Sequence, residues 1–264
     1  MERLLMVEGL EIKTVEKDLI RSGNFVINKG EIVLIQGRNG SGKSSILQSL
    51  LNPSQYDLNS RLNYADFRKS LFRLNRRTWK KERIEFNGKL LRSVNDYTDF
   101  KKEIGYLEQS TTDTARNGYE LIQQSLALTN KKYSQGDINK LLIPFKKDFD
   151  LHEEDFYSSL NKLSGGQRQL MHLIAVLIRE VDLYIIDEPI NNLDTDKSKK
   201  LSEVFNRLRN MNKSVLLITH CRLYLPQVNH SYSITDQRLK KNKVPAKPCS
   251  LHDEERHLLC DSTL

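Results

Sequence analysis

Residues 37–44, Gly37-Arg38-Asn39-Gly40-Ser41-Gly42-Lys43-Ser44, put glycines, a lysine and a hydroxyl into the pattern G-x-x-x-x-G-K-S. Glycines permit backbone angles and close approaches that a Cβ would block, so successive N–H groups can line one concavity around an anion. Lys43 is spaced to reach the β- and γ-phosphates of a nucleotide, and the Ser44 hydroxyl to ligate Mg²⁺. The flanks fit this chemistry. An apolar run, Ile32-Val33-Leu34-Ile35, is short enough for a buried strand, and Ser45 to Leu51 has helical spacing. A helix starting there adds its unpaired N–H donors and partial positive charge. The expected ligand is a nucleoside triphosphate.

Three further stretches carry groups suited to the same chemistry. Leu163-Ser164-Gly165-Gly166-Gln167 precedes a long apolar helix, so Ser164 reads as an N-cap and the paired glycines leave backbone donors open to a second anion contact. Leu183-Tyr184-Ile185-Ile186-Asp187-Glu188-Pro189 reads as a buried strand ending in two carboxylates. Asp187 is placed to hold Mg²⁺, and Glu188 to accept a proton from, or orient, an attacking water. The apolar strand Ser214 to Thr219 ends at His220, which could contact a γ-phosphate or simply sit at the surface. Near the C-terminus, Cys249-x-x-His252 and His257-x-x-Cys260 have ligand types and spacings compatible with tetrahedral Zn²⁺. Only four residues link His252 to His257, which is short for a finger, and an unstructured tail with coincidental spacing is the favoured alternative.

The elements that must position these groups fit a chain of 264 residues with a full core. Its longest apolar run, Leu173 to Ile178, is too short to cross a bilayer. Three cysteines form no disulfide framework, and no secretory signal is visible, which points to the reducing cytoplasm. Residues 4–12 and 24–28 read as strands, Arg83 to Phe86 as a strand before an Asn87-Gly88 turn, and Ile104 to Leu107 as another strand. Residues 112–162 alternate polar helical stretches, including Tyr119 to Leu128 and Asp137 to Phe145. Asp194 to Met211 reads as a helix, and Ser231 to Leu239 as a closing hairpin. Between Pro53 and Arg83 lie nine basic residues against three acids, with Tyr64, Phe67, Leu71 and Leu74 at helical spacing. Such a stretch is a helix with a solvated face docked on its own domain, or a grip for membrane or nucleic-acid phosphates.

In this order the motifs resemble the nucleotide-binding domain of an ATP-binding cassette (ABC) ATPase, over roughly residues 4–240. Leu163 to Gln167 resembles the family's signature, Gln109 stands at the Q-loop position, Asn191-Asn192-Leu193-Asp194 at the D-loop and His220 at the switch position. The resemblance implies an α/β fold: a P-loop NTPase core with a mixed sheet, an antiparallel β subdomain and an inserted helical subdomain. The ABC domain would span 1–240, with the basic insertion about 53–83 and the helical subdomain about 112–165, and 241–264 would form a tail. It implies two cassettes paired head to tail, homo- or heterodimeric, each ATP held between one loop (Gly37, Asn39 to Ser45) and the other's signature (Ser164, Gly165, Gly166, Gln167). Glu188 would be the catalytic base, Asp187, Ser44 and Gln109 would serve Mg²⁺, Ser45 the α-phosphate region, His220 the γ-phosphate, and Asp194 communication across the dimer. The expected role is to power a separate transmembrane subunit from the cytoplasmic face of a membrane; the alternative is a soluble ATPase acting on nucleic acid or ribosomes. The family's upstream aromatic, which stacks on adenine, has no counterpart near Val15, which moves the weight of recognition toward the phosphates.

Overall fold

The computed structural model describes residues 2–14, 17–53, 78–108, 115–129, 131–190, 193–219 and 226–243. The single strand expected over residues 4–12 is two, β1 (Arg3–Glu8) and β2 (Glu11–Lys13). Gly9 between them takes φ +61, and the turn it makes sends the two strands into different sheets. The chain continues through β3 (Asp18–Ile20), β4 (Ser22–Gly23), β5 (Phe25–Asn28) and β6 (Ile32–Gln36), then the 37–42 loop and helix α1 (Lys43–Leu51). The amphipathic pattern from Tyr64 to Leu74 lies outside the described residues. Past it, β7 (Thr78–Lys80) and β8 (Arg83–Phe86) follow, and β8 turns at Asn87 and Gly88 into β9 (Lys89–Leu90). Both turn residues have positive φ, 48 and 78, as a tight two-residue hairpin requires.

Helix α2 (Val94–Glu103) was not legible as a periodic segment. Only Tyr97 and Phe100 are buried on it, and its start is fixed by a reciprocal cap between Ser93 and Asp96. It runs into β10 (Ile104–Leu107). The helical region follows as α3 (Gly118–Ala127), α4 (Gln135–Phe149), α5 (Glu153–Tyr157) and a short 3₁₀ turn at Leu160–Lys162. The chain then forms α6 (Gly165–Leu177), β11 (Leu183–Asp187), α7 (Thr195–Asn210), β12 (Ser214–Ile218), β13 (His230–Thr235) and β14 (Arg238–Lys241). The last two strands are the expected hairpin.

A seven-stranded sheet has the order β10-β11-β12-β6-β13-β14-β4, parallel from β10 to β13 and antiparallel between β13 and β14. Four strands, β5-β1-β8-β9, form a separate antiparallel sheet, and β3-β2-β7 a third. The central parallel strands read as unbroken apolar runs because both of their faces are covered. Ile32, Leu34, Ile186, Val215 and Leu217 pack in one cluster with residues of α3 to α7. Their chain neighbours Val33, Ile35, Ile185, Leu216 and Ile218 pack in the other with α1 and the antiparallel sheet. Adjacent residues alternate between the two cores, as strand geometry dictates. The sheet therefore delivers the C-terminal ends of β6, β10, β11 and β12 to one edge, where the expected site residues lie.

Candidate functional site

Strand β6 enters the loop and α1 leaves it, so the loop's conformation is fixed at both ends. Gly40 and Gly42 take φ +75 and +104. Gly40 has open space around it, so its backbone angle alone asks for glycine. At Gly37 the constraint is space: a Cβ would lie 2.5 Å from Ser41 Oγ and 3.2 Å from Ile234 Cβ. Helix α1 begins with no side-chain cap and no acidic residue in its first turn, which leaves its orphan N–H donors to an anion. Lys43 is buried, and its Nζ donates to the carbonyls of Gly37 at 2.8 Å and Arg38 at 3.2 Å. The ammonium is thus stored across the loop's own mouth.

A cleft of about 560 Å³ opens over the loop. Asn39, Gly40, Gly42, Lys43, Ser44 and Ser45 line it on one side, and Asp187 and Glu188 on the other. Asp187 is fully buried, and neither carboxylate oxygen accepts a well-formed hydrogen bond within the described structure. Burial pushes its carboxyl from the ordinary 3.8 up to about 6; the nearby Ser44 hydroxyl and Lys43 oppose the rise, and Glu188 and Glu108 add to it. The Ser44 hydroxyl is the polar neighbour of this carboxylate. Two orphaned carboxylate oxygens facing a hydroxyl form a hard-oxygen donor set, and these residues fit Mg²⁺. Glu188 sits just past the end of β11 with φ +51, in the left-handed region, and its N–H donates to Ile218 O at 2.8 Å. Its Oε2 accepts from Thr219 Oγ1 at 2.8 Å, and its Oε1 is 3.9 Å from Lys43 Nζ. The turn of the backbone at Glu188 carries both adjacent acids into the cleft instead of to opposite faces.

The ABC transporter family model matches residues 20–191, most of the chain. The chain belongs to the ABC transporter family. An ABC transporter ATP-binding protein of Clostridium tetani is 24% identical over 239 residues, covering 88% of this chain and 46% of that protein. The cassette thus spans about half the length of that relative. The lipoprotein-releasing system ATP-binding protein LolD of Buchnera aphidicola is 26% identical over 229 residues, covering 84% of this chain and 88% of that protein. The dimeric structure of a bacterial ABC transporter cassette superposes with a TM-score of 0.73 at 18% identity, covering 92% of this chain and all of the other. The same cassette in a post-hydrolysis state bound to ADP and Pi superposes equally well.

Within this ABC cassette the remaining expected site residues fall into two groups. Ser164 is the N-cap of α6, with Gln167 N–H donating to its Oγ at 3.2 Å and its own N–H donating to Gln167 Oε1 at 3.0 Å. Gly165 and Gly166 form the first turn of that helix, away from the cassette's own cleft lining. Asp194 caps α7, accepting from Lys197 N–H at 2.8 Å and pairing with Lys197 Nζ. Gln109, Asn191, Asn192, His220 and the four tail residues Cys249, His252, His257 and Cys260 lie outside the described residues. Several cleft residues carry no motif: Thr14, Lys17 and Leu19 at the far wall, Leu47 and Gln48 on α1, and Glu108 at the end of β10. Glu108 could have been found from its place, one residue past an apolar strand that ends beside the Asp187 strand. Of the basic segment, Lys81 is buried, and its Nζ donates to Ser49 O at 2.5 Å and Asn52 O at 2.8 Å, which caps α1 from behind.

Proposed function

We propose that this chain is the ATP-binding and hydrolysing subunit of a membrane transporter, working through ATP-driven pairing of two cassettes. The supporting observation is the cleft itself: a stored lysine, an uncapped helix start, an unsatisfied buried aspartate and a hydrogen-bonded glutamate all face one space large enough for a triphosphate. In this reading Lys43 exchanges the Gly37 and Arg38 carbonyls for phosphate oxygens, a swap of one set of acceptors for a more charged one. Asp187 and Ser44 would hold a Mg²⁺, which would supply positive charge to the transferred phosphoryl group. Thr219 holds one Glu188 oxygen, and the other, which faces Lys43 in the nucleotide-free cleft, would accept the proton of the attacking water. Ser164 with Gly165 and Gly166, facing away from the home cleft, serves the nucleotide of the partner cassette. The chain would sit on the cytoplasmic face of a membrane beside a separate spanning subunit. Among the described residues no helix is long and apolar enough to cross a bilayer.

The test is purification from detergent-solubilised membranes, comparing wild type with Glu188→Gln. The wild-type chain should co-purify with a spanning subunit and hydrolyse ATP. Glu188→Gln should keep nucleotide binding and lose turnover by about a hundredfold or more, the worth of a general base. A chain confined to soluble fractions, or a variant with unaltered turnover, contradicts the proposal.

A further inference from the structure

The cleft holds a third carboxylate that the motifs do not explain. Strand β10 pairs in parallel with β11, Leu107 opposite Ile186, so Glu108 leaves its strand beside Asp187. Glu108 lines the same cleft as Lys43, Ser44, Asp187 and Glu188, and lies close enough to Asp187 for their charges to repel. Its carboxylate has no hydrogen-bond or ion-pair partner among the described residues, and Lys101 of α2 is the cation that acts on it, through space. Lys101 is itself held by Asn52 Oδ1 at 3.3 Å, at the far end of α1. Asp187 next to it is completely buried with both carboxylate oxygens unpartnered, an independent sign that a cation completes this wall.

Three carboxylates against one buried lysine make this end of the cleft hostile to a bare triphosphate. They tolerate the same triphosphate once a divalent cation covers its outer oxygens, because the cation then stands nearest the carboxylates and offsets their repulsion by the phosphates. We propose that Glu108 selects the charge state of the ligand: it discriminates against metal-free nucleotide and makes binding conditional on the metal complex. Glu108 does this by charge from the cleft wall, with Lys101 setting how much of that charge is felt. The idea rests on the nucleotide reading of the cleft and goes beyond it.

The experiment is the ratio of ATP dissociation constants in EDTA and in excess Mg²⁺, measured by calorimetry at pH 8 for wild type, Glu108→Gln and Lys101→Met. Wild type should bind Mg-ATP much more tightly than ATP in EDTA. Glu108→Gln should lower the ratio by about tenfold, the scale of one unit charge a few ångströms away in a screened cleft. Lys101→Met should raise the ratio, and Glu108→Ser stands in if Glu108→Gln fails to fold. A ratio unchanged in both variants, or equal weakening of both ligand forms by Glu108→Gln, overturns the proposal. A wild-type chain that binds neither form overturns the nucleotide reading instead.

Discussion

At the residue scale, the informative side chain is Asp187. Its full burial without a good hydrogen-bond partner is costly in the ionised form, and the raised carboxyl, at about 6, records that cost. The sign follows directly. The unfolded chain ionises near 3.8 and the folded one near 6, so stability held at low pH is lost as pH rises through that interval. Asp187→Asn should therefore make the nucleotide-free protein more stable at pH 7.5, by up to about 2 kcal/mol. The same variant should gain less from Mg-ATP, relative to ATP in EDTA, than the wild type gains. Thermal unfolding with and without ligand checks both halves, and a destabilised apo variant would show that Asp187 has a structural partner instead. Asp187 and Glu188 were both legible once the phosphate-loop pattern and the Leu163 to Gln167 stretch stood beside them, since two acids ending an apolar run fit a strand-ending turn equally well. The turn at Glu188 was not legible. Its positive φ arises from the hydrogen bond of its N–H to Ile218 on the neighbouring strand, a tertiary contact that local residue types do not encode.

At the scale of elements, α1 shows how a charge run can hide a structural part. Lys81 lies in a segment whose charge suggests a solvated or ligand-binding face, yet it is buried against the last carbonyls of α1, with its ammonium 4.4 Å from the Tyr97 ring centre. Trp79 Nε1 donates to Pro53 O at 3.0 Å on the same side. A cation at a helix C-terminus offsets the helix dipole and satisfies orphan carbonyls, and a charged hydrogen bond in a partly buried site contributes about 2 kcal/mol. Lys81→Met should lower stability in urea by about that amount and leave the Mg-ATP affinity of the residual folded protein within about threefold, since the loop sits at the other end of α1. An unchanged unfolding midpoint would mean that Lys81 is solvated after all. The long, doubly buried strands β6, β11 and β12 were readable because their runs are apolar without interruption. The short ones, β2, β3, β4 and β7, were not, because two or three residues carry no period. Helix α2 escaped for a related reason: its signal lay in the Ser93–Asp96 cap and not in an apolar stripe.

At the scale of the whole molecule, the proposed clamp takes half of each nucleotide site from each of two chains. The chain's own cleft gathers the loop, Asp187 and Glu188, while the N-terminus of α6 is finished as a capped helix whose glycines and Ser164 are not among the cleft's lining residues. Gln169 of that helix donates from Nε2 to Glu188 O at 3.2 Å. This link ties the signature helix to the carboxylate that would act on water. Sequence order alone suggested the composite site by family resemblance; in the fold, Ser164, Gly165 and Gly166 are not among the residues lining the home cleft. The most direct measurement is the mass of Glu188→Gln in solution by sedimentation, with and without saturating Mg-ATP, alongside the double variant that also carries Ser164→Arg. The account predicts one chain without nucleotide, two chains with Mg-ATP, and one chain with Mg-ATP bound when Ser164 is blocked. A single chain at saturating Mg-ATP, or a pair that forms unimpaired with Ser164→Arg, would contradict it.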